Sequence, residues 1–305
     1  MPTPEGIPSP TRAAPARDPD TIVGFAWFPS NRDRGVSYAT YVAELAQKAQ
    51  RESWDDPTNP TTGNNEILTS YLHFTFRRLK EEGKIVFVEA RPASDGTPAV
   101  PAAAAFNTGL FTENYEQIYA YFEKNTRQGM QDWVFRGWHL ESDRALRRFD
   151  GIEVKPARYF EKPADLIYNP DWPLIPDLDH ILDDNAARFP EWLRDDAFKR
   201  RVFLQGAIQD AEKRVRINWR TAVPQYYFPP TGARGHIQLL LPLSLTRAGK
   251  TDLALVVDPQ ERSYRANTAL PLNLAYKNAR LISRQETEWL GTASSGPQVL
   301  NPQAA

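Results

Sequence analysis

Between Ala102 and Trp138 the apolar residues fall into three short runs, AAAAF, IYAYF and WVF, separated by turn-forming residues. This pattern predicts three consecutive strands, punctuated by Asn107-Thr108-Gly109 and by Asn125-Thr126-Arg127-Gln128-Gly129. Two stronger runs follow at His236–Leu245 and Asp252–Asp258, joined by a hairpin turn at Arg247-Ala248-Gly249-Lys250. Their nearly unbroken apolar character predicts burial on both faces. A further strand is expected at Ser263–Ala269, and shorter ones at Lys84–Glu89 and, edge-like, at Pro156–Phe160. Thr21–Pro29 reads as a strand or an extended core anchor.

Elsewhere the apolar spacing turns helical. Tyr38, Tyr41, Val42, Leu45 and Ala46 mark a helix from Ser37 to about Ser53, and Ile67, Leu68, Tyr71, Leu72, Thr75 and Leu79 a second over Asn65–Glu82, with Gly83 as its stop. A short helix is expected at Ser142–Phe149, a compact one at Leu178–Phe189 closed by Pro190, and the longest at Asp195–Trp219. Pro271–Ser283 supplies the closing helix. Runs of strands and runs of helices without a repeated βαβ unit imply an α+β fold. The expected architecture is a mainly antiparallel sheet, or two packed half-sheets, with a helical insertion at about 178–220. Residues 21–290 read as a single domain. The Pro-rich segment 1–20 and the segment 291–305 read as disordered tails, because neither can bury enough apolar surface to offset its ordering entropy.

Composition narrows the chemistry. The chain has 305 residues, 41% hydrophobic and 25% charged, with a formal net charge of −1. Nucleic-acid binding would therefore need a local basic patch. The absence of cysteine excludes disulfides, thiol catalysis and Cys-containing zinc sites. No apolar run approaches the roughly 18 residues of a spanning helix, and no apolar leader stands at the N-terminus. The expectation is a cytoplasmic protein away from membranes.

No phosphate loop, dinucleotide fingerprint, HExxH or calcium-loop motif is present, and His73, His139, His180 and His236 lack ligand spacing, so no metal site and no particular cofactor is indicated. Four features remain. His180, Asp184 and Arg188 follow at successive steps of four, which on one helix face would make an oriented acid–base pair or an ordinary solvated stripe. Asp177, Asp179, Asp183 and Asp184 carry magnesium-type ligands but fall on several faces of the helix. Asn107, Thr108 and Gly109 suit either a phosphate- or base-binding loop or a plain turn. Lys213, Arg214, Arg216 and Arg220, beside Trp219, Tyr226 and Tyr227, fit phosphate contacts with base stacking, or a helix end complementing its own dipole. On the closing helix, Asn278 and Arg280 line a pocket floor or tie down a strand end.

Several segments also resemble a known family: Phe106–Leu110, Ile118–Phe122, Trp133–Gly137, Asp165–Tyr168, Asp179–Leu182, Asn185, Arg188-Phe189-Pro190 and Ala275–Leu281. Together they resemble the "domain of unknown function 3825" family. Some of its members carry this domain beside cold-shock or LOTUS-type RNA-binding modules, which implies an RNA-related role. The resemblance transfers no catalytic residues. The leading reading is an RNA- or nucleotide-binding protein, with RNA processing as an extension, using Asn107, Thr108, Arg188, Arg216, Tyr226, Asn278 and Arg280. The alternatives are a non-catalytic, partner-binding or structural protein and a small-molecule hydrolase acting through His180 and Asp184. Convergence of Asn107, His180, Asn278 and Arg280 on one cleft would favour a ligand site.

Overall fold

The computed structural model describes residues 18, 20–31, 33, 35–56, 63–93, 99–230 and 234–284, so the expected tails, apart from Asp18 and Asp20, lie outside the described residues. Two mixed sheets of five strands each organise them, giving an α+β fold. The first sheet contains β1 (Ala26–Trp27), β2 (Val86–Val88), β3 (Ala103–Phe111), β4 (Gln117–Lys124) and β5 (Trp133–Leu140), in the order β1-β5-β4-β3-β2. The second contains β6 (Leu174–Pro176), β7 (Val223–Tyr227), β8 (His236–Leu243), β9 (Leu253–Pro259) and β10 (Tyr264–Pro271), in the order β6-β10-β9-β8-β7. Only β1 and β6 pair in parallel, with β5 and β10 respectively; the other pairings are antiparallel.

The helices are α1 (Ile22–Phe25), α2 (Tyr38–Lys48), α3 (Glu66–Glu81), α4 (Leu178–Asp184), α5 (Glu191–Arg194), α6 (Ala197–Ile217) and α7 (Leu272–Arg280). The stripe of α3 packs through Ile67, Leu72 and Phe76 into a core cluster shared with Phe106 and Phe122 of the first sheet. The same cluster takes in Ala275 and Ala279 of α7 and Val223, Leu240 and Val256 of the second sheet. The two sheets therefore enclose α3 and α7 rather than joining edge to edge. The opposite face of the second sheet is closed by the insertion: Leu204, Ile208 and Val215 of α6 meet Leu239, Leu241 and Leu255. Burial of both faces explains the unbroken apolar reading of β8 and β9. None of the described helices is long and apolar enough to cross a membrane.

Several local expectations are corrected. Asn107-Thr108-Gly109 is not a turn between strands but lies inside β3, where the register with β4 shifts between Asn107 and Phe111. The Asn107 side chain accepts the Gly109 N–H at 2.9 Å, and Gly109 sits at φ +73°. This is turn chemistry used to make a bulge. The strands are connected instead around Thr112–Glu116, where the Thr112 N–H donates to the Glu116 carbonyl at 2.9 Å.

Leu178–Phe189 is not one helix. The α-helix ends at Asp184, Asn185 takes φ −114° and ψ 12°, and Ala186–Arg188 is a 3-10 turn. Thr21–Pro29 is mostly a single turn of helix, α1, capped by the Thr21 hydroxyl, before the two residues of β1. Pro156–Phe160 has no strand partner among the described residues; side chains of α3 and its C-terminal end hold it. Arg78 Nε donates to the Arg158 carbonyl at 2.9 Å and Lys84 Nζ to the Pro156 carbonyl at 2.9 Å, while Thr75 Oγ1 and the Tyr159 hydroxyl bond at 2.9 Å.

A candidate ligand cavity on the second sheet

The segment from Tyr159 to Trp172 stands as a wall against the ends of β7, β8, β9 and β10. Between them lies a cavity of about 1090 Å³. Aromatic rings line it. Tyr168 stacks on Tyr264 with centroids 4.5 Å apart and planes at 14°, and Trp172 tilts against Tyr264 at 5.4 Å. Tyr226 packs between Tyr159 at 5.0 Å and Phe228 at 4.9 Å, with the Arg78 guanidinium 5.2 Å from its centroid. Cations and acids share the rim: Lys162 and Arg234 stand beside Glu161 and Asp165, and Arg234 reaches Glu161 at 3.3 Å. Arg78 and Arg234 also line an adjoining cavity of about 650 Å³ with Lys84, Arg158, Glu81 and Glu82, the two glutamates pairing with Arg78 and Lys84.

The tyrosine hydroxyls do not behave alike. Tyr264 accepts the Asn169 N–H at 2.7 Å. The hydroxyls of Tyr168 and Tyr226 are buried and have no hydrogen-bond partner among the described residues, although each residue lines the cavity. A buried polar group without a partner costs roughly 1–3 kcal/mol. Burial, helped by the charge of Glu212, pushes Tyr168 up to about 12. Burial also raises Tyr226, against the pull of Arg78. Both therefore remain neutral O–H donors at ordinary pH.

On the same rim His236 faces Asp258. Nε2 lies 3.3 Å from each carboxylate oxygen. The carboxylate is held by a line of amides crossing the sheet. Asn278 of α7 donates to Gln225 at 3.1 Å, Gln225 to Gln238 at 3.0 Å, and Gln238 to Asp258 at 3.4 Å. Strand register creates the line, because Gln225 pairs with Gln238 across β7 and β8.

The residues singled out from sequence do not converge on one cleft. Tyr226 lines the cavity, but it lies on β7 facing Tyr159 and Arg78, not with the α6 cations. Asn278 reaches the cavity rim only through the amide line. Asn107 is buried and donates to Gln117 and to the Val154 carbonyl. The Thr108 hydroxyl donates to the Ile118 carbonyl at 2.6 Å. Arg280 makes a two-pronged ion pair with Glu52, Nε at 2.6 Å and Nη2 at 2.8 Å, between the rings of Trp54 and Tyr71. The Tyr71 hydroxyl in turn donates to the Thr108 carbonyl at 2.9 Å, so these residues tie α7 and α3 to β3.

The His180, Asp184 and Arg188 stripe does not form, because the break at Asn185 turns Arg188 away. Arg188 bonds the Asn185 side chain, the Thr268 hydroxyl and the Ala269 carbonyl. His180 is exposed on α4 and is not among the cavity-lining residues; the Asp184 side chain lies outside what is described. Asp177 caps α4 by accepting the His180 N–H at 3.1 Å. Among the described residues no group of three or more His, Asp or Glu is placed to hold a metal ion. On α6, Arg216 pairs with Glu212 at 2.9 Å and Lys213 with Asp210 at 3.7 Å, while Arg220 lies over Trp219.

His236, Asp258 and Tyr168 were not anticipated. Their association depends on the register of β8 against β9 and on the path of residues 159–172, neither of which periodicity reports. One signal was present: Gln238 interrupts an apolar run that is otherwise buried, and a buried amide needs a partner. The sequence pattern that defines the family described as Domain of unknown function (DUF3825) matches residues 45–289, a span holding every cavity residue named above. No curated protein and no solved structure matches the chain.

Proposed function

Since the chain belongs to the DUF3825 family, whose description carries no activity, we propose its function from the cavity: it binds an unpaired nucleotide of a single-stranded RNA there. The observation that carries this reading is an aromatic-lined cavity of about 1090 Å³ with cations on its rim. Phe160 and Trp172, only partly buried in its lining, offer a stacking surface to a base, worth roughly 1–3 kcal/mol per base. Lys162 and Arg234 on the rim supply charge for the backbone phosphates on either side.

Titration of a labelled single-stranded RNA across a salt series tests the reading. We expect affinity that weakens with salt as for about two to three phosphate contacts. Lys162→Ala and Arg234→Ala should each reduce the salt slope by about one phosphate contact while leaving the melting temperature unchanged. Absence of binding at low salt would reject the proposal.

A further inference from the structure

We infer that His236 is a general base acting on the 2′-hydroxyl of the bound nucleotide, making the cavity a site of RNA strand cleavage. This rests on the RNA-binding reading above. The argument begins with the tautomer. A carboxylate only accepts hydrogen bonds, so Asp258, 3.3 Å away, keeps the imidazole proton on Nε2. The other nitrogen, Nδ1, then carries a lone pair, and it makes no hydrogen bond with any described residue. A base oriented by a third group is the arrangement used to activate hydroxyl nucleophiles. Here the third group is Asp258, itself held by the Gln238 amide, which is backed by Gln225 and Asn278. Asp258 is a positioning residue. The ring is about half exposed, its side chain at 44%, on the rim of the cavity that holds the unpartnered tyrosines.

RNA brings its own nucleophile next to the bond to be broken, and such intramolecular attack gains from proximity. Nδ1 takes the 2′-hydroxyl proton, the 2′-oxygen bonds to phosphorus, and the bond from phosphorus to the 5′-oxygen breaks. The 5′-oxygen takes a proton from water, and the imidazolium returns its own to the resulting hydroxide. The products are a 2′,3′-cyclic phosphate and a 5′-hydroxyl end, and no co-reactant is consumed. Arg234, beside Gly235 on the same rim, faces the charge that grows on the phosphate oxygens.

Two labelled strands of one sequence, all-ribose and 2′-O-methyl, separate this inference from the binding reading. The full chain should bind both and cleave only the all-ribose strand, leaving cyclic phosphate ends. His236→Asn should slow cleavage by about a hundredfold or more while keeping the melting temperature and 2′-O-methyl binding. Asp258→Asn should also slow cleavage and shift the His236 ring nitrogen resonances toward a mixed tautomer, which a purely structural role would not do. Binding of the 2′-O-methyl strand without cleavage of the ribose strand overturns the inference and leaves the binding reading standing. Cleavage that survives His236→Asn also overturns it. Failure to bind either strand overturns both.

Discussion

Arg280 shows how a cation that looks like a ligand contact in sequence serves the fold. Burial would lower its pKa, but the hydrogen bonds and charge of Glu52 outweigh this and hold the guanidinium protonated. Removing one partner of a buried ion pair leaves the other charge stranded, at a cost of about 3–5 kcal/mol. Arg280→Ala should therefore lower unfolding free energy by about that amount in urea denaturation. The other residues read from sequence follow the same rule. Asn107, Thr108 and Arg188 have the polarity of binding residues, but their donors and acceptors are turned inward to backbone groups and neighbouring side chains. Tyr226 was legible as an aromatic following the cations of 213–220, although it packs against Tyr159 and Arg78 instead. His236 and Asp258 were not, since nothing in their sequence spacing of 22 residues brings them together.

At the scale of elements, the three strands of 102–138 were legible because short apolar runs and breakers agree there. The position of the turn was not. An Asn whose side chain bonds two residues on serves equally in a turn or a bulge, and only pairing with β4 decides between them. Gly109 makes the bulge testable. Its φ is +73°, and a Cβ there would lie 2.7 Å from the Tyr71 hydroxyl. Gly109→Ala should destabilise the protein by about 1–3 kcal/mol, read from the urea midpoint. The break after Asp184 was hidden because Asn185 lies at helical spacing from Ile181 and Leu182, so the periodic signal runs through it. Pro156–Phe160 misled for a related reason: an extended segment held by side chains has the composition of an edge strand.

At the scale of the whole molecule, His73 carries a pH dependence away from the cavity. Partial burial, then the nearby charge of Arg77, lowers the pKa of His73 below its ordinary 6.5, with Asp18 pulling weakly the other way. Below pH 6.5 the unfolded chain takes up a proton that the folded one refuses, so stability present above 6.5 is lost as pH falls toward the folded pKa. Urea denaturation at pH 7.5 and 5.5 should show this loss, and His73→Gln should reduce it. The division into two sheets was only partly visible in sequence. Apolar runs identify strands but do not say which strands share a sheet. The core cluster common to both arises because α3 and α7 sit between them.

The wall beside the cavity has a consequence for time rather than strength. The stretch leading into it, residues 156–160, is fastened by separate pegs: Lys84 on the Pro156 carbonyl, Arg78 on the Arg158 carbonyl, Glu82 on the Arg158 N–H and Thr75 on Tyr159. If an occupant can leave only when these pegs let go, its residence time follows their opening. Lys84→Ala removes a peg at one end of the row. It should speed dissociation and association together in stopped-flow measurements, moving the equilibrium constant less than either rate. A change confined to the dissociation rate would show that Lys84 holds the ligand and not the wall.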